Sequence, residues 1–479
     1  MPNQHKPCPP EAELKPAIER FYRLGLNDGE IAAKAIQYFD TEEYGLSARS
    51  VKRFRTKWGF LSTRQQRHTL DTVTPFIEVI KRRYPQRGAD AITKALRMEY
   101  NIRAPRYLVL DYLRKTEPEA VKARRYRRFI RRRFWATGLN DVWAIDQHDK
   151  WQRFGLFLHA CVDPYHGYIH WVKIWWTNKN PRLIASFYLE AARREGGIPL
   201  VTQSDPGSEN FGVANAQTYI RHRLDASLSD TLQHRWMRKH QNIKPEAHWS
   251  VMRRDFSPGF ENLLDQGIQN GWYNPNDAMD SYLFRWLGIP WLQRELDEWV
   301  YLHNHTIRRA NKHKMTPHGI PELIRENPAD YQSIDVKVLV PGELFDEAEQ
   351  LWAPPGHPVF ELVPQGFAQY AQVCYEAIQE PVVTSDSFWD VYLALRDVLT
   401  EHAGDAPLQQ AFLETPQENR LMDELLPIPE GLKELGPIEA GNMAAAANAR
   451  EPSAVPQQEA LCAEFSDMDD DEFEDDDIL

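Results

Sequence analysis

Val142-Trp143-Ala144-Ile145 is a short apolar run that closes on Asp146, and Ile198-Pro199-Leu200-Val201-Thr202-Gln203-Ser204 closes in the same way on Asp205. A carboxylate at the end of a buried strand is costly unless something positive compensates it. A third acid, Glu246, lies in Asn242-Ile-Lys-Pro-Glu-Ala-His-Trp249, where a helix is expected to begin. Three converging carboxylates make a hard, oxygen-lined pocket suited to Mg²⁺ or Mn²⁺. Such a pocket is the usual equipment of two-metal phosphodiester chemistry. Taken singly, each acid has a plainer use, because an Asp that ends a strand is most often an ordinary turn residue.

Around these acids the apolar periodicity is that of alternating strands and helices. Val142–Ile145, Phe154–Val162 and Tyr168–Trp176 read as strands, the last two joined by the turn Asp163-Pro-Tyr-His-Gly167. Arg182–Arg194 reads as a helix ending at Gly196-Gly197. A fourth strand delivers Asp205, Ala214–Leu224 is helical, Leu232–His240 is a fifth strand, and Glu246–Arg254 and Gly259–Asp265 are helices. This order predicts an α/β core with a ribonuclease H-like mixed five-stranded sheet and flanking helices. With its first and fourth strands side by side, Asp146 and Asp205 would meet at one end. His148 is expected to be a local hydrogen-bonder rather than a ligand, Trp249 a packing or helix-anchoring residue, and Asp163 a strand-to-turn acceptor.

Downstream, residues 290–309 form a Trp- and Arg-rich helix, and Val336–Val340 and Pro358–Val363 look like pieces of a small barrel. From about 402 the chain is rich in Pro, Ala, Gln, Asp and Glu and ends in an almost unbroken acidic run, so a disordered acidic tail is expected.

Upstream the character is helical and basic. Residues 1–135 carry 30 Lys and Arg against 15 Asp and Glu, residues 136–321 carry 21 against 19, and residues 322–479 carry 6 against 35. The overall charge of −12 therefore hides a cationic front that suits a polyanion. Leu14, Ile18, Phe21, Leu24 and Leu26 space as one helix face, Asp28 is a candidate N-cap, and the segment from Ser47 to Gly59 resembles a recognition helix. That segment starts at Ser47 or Ser50 and carries Arg49, Lys52, Arg53, Arg55 and Lys57. The pattern recurs as Thr74–Tyr84 (Thr74 as N-cap, Pro75 in the first turn), Ala89–Leu96, and Ile102–Lys115 with Pro105 in its first turn and Arg103 and Arg106 near its start. The cluster 122–133, with Arg124, Arg125, Arg127, Arg128, Arg131, Arg132 and Arg133, favours phosphate contacts and also fits a nuclear-import signal if the host is eukaryotic.

Length alone suggests about three domains. The boundaries are two helix-turn-helix-like units at 1–65 and 66–116, a basic linker at 117–137, a core at 138–321, a small α/β or barrel-like region at 322–400 and an acidic disordered tail at 401–479. The four cysteines (Cys8, Cys161, Cys374, Cys462) form no C-x-x-C pair, which argues against a disulfide framework and a zinc finger. No apolar run is long enough for a membrane span, and the polar start does not read as a signal peptide.

Several segments together are similar to one family, the integrase core of DDE transposases and retroviral-type integrases. They are Asn140–Asp146, Phe154–Tyr165, Thr202–Asn210 with Glu209, Asn242–Trp249, and Tyr301–Asn304 with Thr316-Pro317. The resemblance covers roughly 138–321. It implies DNA strand cleavage or strand transfer, with Asp146, Asp205 and Glu246 as ligands of paired Mg²⁺ or Mn²⁺ ions. It also implies double-stranded DNA as partner and a homo-oligomer on DNA. The His/Cys module that precedes retroviral cores is absent, the Asp205–Glu246 gap is longer than the common spacing, and Glu209 is the nearest rival for the third acid. The alternatives are a transposon-derived DNA-binding regulator that keeps the fold without the reaction, and an RNA hydrolase, which the tandem helical units suit less well.

Overall fold

The structure, a computed structural model, describes residues 6–125, 136–238, 242–307, 316–401, 404, 421 and 424–435. The chain divides into two compact units: an all-helical one, described over 6–125, and a larger one built on a sheet, described from 136 onward. No helix among the described residues is long and apolar enough to cross a membrane.

In the first unit α1 (Glu11–Leu24), α2 (Asp28–Ala35) and α3 (Ala48–Lys57) pack together. α1 buries Leu14, Ile18, Phe21 and Leu24, as their spacing predicts. The cap of α2 is Asn27, one residue before the expected Asp28, because Asn27 and Glu30 close a capping box. Asp28 instead accepts from the Arg55 guanidinium at 2.9 Å. Ser47 caps α3 by accepting from the Ser50 amide at 3.1 Å. After the short α4 (Thr63–Gln66), a second group consists of α5 (Leu70–Arg83), α6 (Ala89–Tyr100) and α7 (Arg106–Thr116), with α8 (Pro118–Arg125) following.

α5 begins before the expected Thr74 because Thr69 and Thr72 cap it, which leaves Pro75 inside the helix. Pro105 is the N-cap of α7 rather than a first-turn residue. The two groups meet where the Arg103 guanidinium lies 3.9 Å over the Tyr22 ring and donates to the Tyr22 carbonyl. Gln66 bridges the same place, donating to the Asn101 carbonyl and accepting from the Arg103 amide.

The second unit is organised on a five-stranded mixed sheet flanked by helices, a ribonuclease H-like arrangement. β1 (Val142–His148), β2 (Phe157–Asp163) and β3 (Tyr168–Trp175) form an antiparallel meander. α9 (Pro181–Glu195) then crosses over, capped by Asn180 and ended by Gly196 at φ +66°. The short β4 (Gly197–Ile198) precedes β5 (Val201–Ser204), which runs parallel to β1. α10 (Phe211–Leu224) leads to β6 (His234–Trp236), parallel to β5 and at the edge, so the order is β3-β2-β1-β5-β6. The second strand starts later than expected because Gln152–Phe154 is a 3-10 turn. The fifth spans three residues within the expected 232–240, of which 239 and 240 lie outside the described residues.

α11 (Ile243–Asp255) and α12 (Ser257–Gln269) begin slightly before their expected starts. α13 (Ala278–Asn304) begins well before 290 and runs through Pro290. A mid-helix proline costs roughly 3 kcal/mol. Burial of Tyr282, Leu283, Phe284, Leu287 and Ile289 around it supplies the compensation. The far end of α13 docks on β3 through Asn304, whose amide accepts from the Ile169 N–H and donates to the Ile169 carbonyl, each at 2.9 Å.

The region expected to be a small α/β or barrel-like unit is mostly helical, with one short strand. α14 (Pro321–Glu326) is followed by β7 (Val338–Leu339), which pairs with β4 over two residues. α15 (Gly342–Trp352), α16 (Gln365–Ala377) and α17 (Phe388–Glu401) make up the rest, and Pro358–Phe360 is a 3-10 turn. The apolar runs there were too short for their period to separate strand from helix. Leu344, Phe345 and Ala348, at helical spacing, are buried where α15 meets α9 and α10.

Within the span expected to be tail, residues 424–435 lie on the core. Glu424 pairs with Arg182 at 2.6 Å, and Asn215 donates to the carbonyls of Leu426 and Pro427. The Lys433 backbone pairs with Asp230 and Leu232 beside the edge strand β6. The acidic terminus beyond 435 lies outside the described residues.

Candidate active site

The register of β1 on β5 pairs Val142 with Val201, Trp143 with Thr202 and Ala144 with Gln203. Continued by two residues, it sets Asp146 level with Asp205 on strands about 4.8 Å apart. Asp205 follows the last residue of β5, whereas β1 runs on past Asp146 to His148 and pairs Asp146 with Ala160 of β2, so the two acids stand side by side near one end of the sheet. Asp146 is buried, with 8% exposure, and Asp205 is half-buried.

α11 brings in the third acid. Asn242, fully buried at the start of this helix, donates to the Ile145 carbonyl at 2.7 Å. The Trp249 indole N–H donates to Asp146 Oδ2 at 3.0 Å. Asn242, Glu246 and Trp249 stand at i, i+4 and i+7, on one face of a helix. The residues on either side of Glu246 along that face therefore grip β1 at Ile145 and Asp146, while Glu246 itself is exposed. His148, on the same side of β1 as Asp146, stacks on the Trp249 ring with centroids 4.9 Å apart.

The charges of these acids act on one another. Burial first, then the negative charge of Asp205, push the Asp146 carboxyl up to about 8; Glu246 adds to this, and the Gln147 amide and Trp249 indole oppose it. Glu209 is also raised, by burial and then by the charges of Asp149 and Asp205. His148 is held down to about 4 by burial and by Arg253 and Lys150, so its ring is neutral at physiological pH.

Among the described residues no three His, Cys, Asp or Glu side chains stand as a finished metal cage. The backbone brings Asp146 and Asp205 together and sets Glu246 on the exposed rim beside them. The donor set is nevertheless suited to a hard divalent cation: every donor is an oxygen, and a cation would relieve both burial and mutual repulsion.

The cations expected to face DNA divide into groups. Arg49, Lys52 and Arg53 are exposed on one side of α3. Lys57 is exposed and paired with Glu11 at 2.7 Å. Arg55 is a correction: its guanidinium is buried, paired with Asp28 and donating to the Phe60 carbonyl, so it braces the fold. Arg103 is engaged on Tyr22, and Arg106 is paired with Asp90 at 2.5 Å. Arg124 and Arg125 end α8, but their side chains, like Arg127, Arg128, Arg131, Arg132 and Arg133, lie outside the described residues. Asp163 is a turn acceptor, holding the amides of Asn140 at 2.7 Å and Tyr165 at 2.8 Å. Sequence reasoning missed the grip of Asn242 and Trp249. Their spacing carried the signal, but starting the helix at Glu246 concealed the shared face.

Residues 134–323 match the family model of the integrase core domain. No curated protein matches the chain. The match and the sheet order agree with the catalytic core of retroviral-type integrases and DDE transposases, and an integrase core points to integrase- or transposase-type function in general.

Proposed function

We propose that this chain is a DDE-type integrase or transposase, a polynucleotidyl transferase that cleaves and joins DNA strands, with Asp146, Asp205 and Glu246 holding two divalent cations, Mg²⁺ or Mn²⁺. The observation that carries the reading is the grip of α11 on β1. Asn242 and Trp249 fasten to Ile145 and Asp146 from positions four before and three after Glu246, so the helix face bearing Glu246 is turned to the strand end that bears Asp146. When bound, such ions stabilise the attacking and leaving oxygens of a phosphodiester.

The protein's part is placement. Adjacent strands present Asp146 and Asp205, and the Trp249 indole sets the rotation of the Asp146 carboxylate. The exposed Arg49, Lys52 and Arg53 on α3 offer phosphate contacts for the duplex. Two DNA ends must be held together for strand transfer, so a homo-oligomer on DNA belongs to this reading.

The test is calorimetric titration of Mn²⁺ into the full chain with a DNA duplex present, alongside a strand-cleavage assay. Asp146→Asn and Asp205→Asn are expected to stay folded, lose the binding, and cut by about 10³-fold less, since such ions contribute several kcal/mol to the transition state. A folded wild type that binds duplex but takes up no Mn²⁺ would overturn the enzyme in favour of a DNA-binding regulator.

A further inference from the structure

We infer that Thr202, His234 and Ser204 form a directional hydrogen-bond chain that sets the position of Asp205 from behind the sheet, with His234 as its central positioning residue. The inference rests on the reading of Asp205 as a metal-holding carboxylate. Thr202 and Ser204 occupy alternate positions of β5 and so share a face, the one opposite Gln203 and Asp205. His234 is the register partner of Thr202 on β6. Its ring spans both hydroxyls, with Nδ1 2.8 Å from Thr202 Oγ1 and Nε2 3.0 Å from Ser204 Oγ. All three side chains have no solvent exposure.

The direction of the chain follows from counting protons. Ser204 Oγ donates its one hydrogen to the Asp205 carbonyl at 3.0 Å. It must therefore accept from His234, which places the ring proton on Nε2. In a neutral ring Nδ1 is then an acceptor, so the Thr202 hydroxyl donates to it. The order is Thr202 O–H to Nδ1, Nε2–H to Ser204 Oγ, and Ser204 O–H to the Asp205 carbonyl. Each link fixes the next, and the last acts on the peptide group of the residue whose carboxylate faces Asp146.

A second tether reaches the same carbonyl from the other side. Asn210, fully buried, donates from Nδ2 to the Asp205 carbonyl at 3.2 Å, while its Oδ1 accepts from Gln147 at 2.8 Å. The Asp205 carbonyl is thus held between β6 and β1. β5 ends at Ser204, so beyond the strand ladder the Asp205 carbonyl is held by these side chains ahead of the Pro206-Gly207 turn. Groups that hold a metal ligand from behind usually change affinity or activity by about 10–100-fold when removed.

The experiment uses the full chain with duplex and three readings: thermal melting, Mn²⁺ titration by calorimetry, and ¹⁵N NMR of the His234 ring. The variants are Thr202→Val, Thr202→Ser, Ser204→Ala and Asp205→Asn. The expected result is an Nε2–H tautomer in the wild type and Mn²⁺ binding about tenfold or more weaker in Thr202→Val and Ser204→Ala, with the fold intact. Recovery is expected in Thr202→Ser, which restores the hydroxyl. An Nδ1–H tautomer overturns the chain. Unchanged Mn²⁺ binding in Thr202→Val and Ser204→Ala, with binding lost in Asp205→Asn, overturns the chain and leaves the metal reading standing. Wild-type Mn²⁺ binding in Asp205→Asn overturns both.

Discussion

Arg53 and Arg55 are two positions apart on α3, yet the helix gives them opposite surroundings. Arg53 is exposed, with its guanidinium 5.0 Å from the Phe54 ring centroid, whereas Arg55 is buried against Asp28 and the Phe60 carbonyl. Removing one partner of a buried pair leaves the other charge uncompensated. Asp28 keeps some access to water, so Arg55→Ala is expected to destabilise the N-terminal unit by about 1–3 kcal/mol. Arg53→Ala should leave stability within about 0.5 kcal/mol and lower the slope of log affinity against log salt by about one. Denaturant melts and duplex binding at several salt concentrations separate the two, and equal loss of stability in both would refute the assignment. Nothing local in the sequence marks Arg55, because its partner lies on another helix. Asp146 and Asp205 were legible for the opposite reason: each ends its own apolar run.

Among the elements, α17 shows how the helices beyond the sheet join the core. A Cβ on Gly267 of α12 would lie 2.0 Å from Trp389 of α17, whose indole donates to the Leu263 carbonyl at 2.8 Å. The glycine is required by this approach and not by backbone conformation. Gly267→Ala should destabilise the second unit by about 1–3 kcal/mol through overpacking, and by much less when Trp389→Leu has already removed the ring. A urea double-mutant cycle measures the coupling; purely additive effects would rule the clash out. α13 extends twelve residues before the expected start at 290, with Pro290 inside it. Whether a proline begins a helix or is carried inside one depends on what packs around the preceding turn, here Phe284 and Leu287.

For the whole second unit, several buried histidines set the response to acid. Burial holds His159 and His234 at about 3 and keeps His170 well below its ordinary value. A histidine whose folded value is depressed leaves the unfolded chain taking up more protons below its ordinary value near 6.5. Stability is thus fully present above about 6.5 and is lost as pH falls toward 3. The melting temperature should decline steadily from pH 6.5 to 4.5. His159→Gln keeps an acceptor for the Trp171 indole, now 3.0 Å from His159 Nδ1, and should flatten that decline. An unchanged slope in this variant would mean that His159 is protonated in the fold.

The sequence by itself determined the ribonuclease H-like order of strands and helices, the all-helical basic front, and the two aspartates carried on neighbouring strands. These are local properties: apolar period, turn residues and caps are written within a few neighbouring positions. Only the tertiary structure decided that α11 is fastened to β1 by Asn242 and Trp249, and that His234 faces Thr202 and Ser204 across a strand pair. It also decided that residues 336–401 fold as helices on the core and that Arg55 is a brace. Each of these turns on contacts between residues far apart in the chain. Such contacts form only when register and packing bring complementary groups together, and no window of sequence contains both partners.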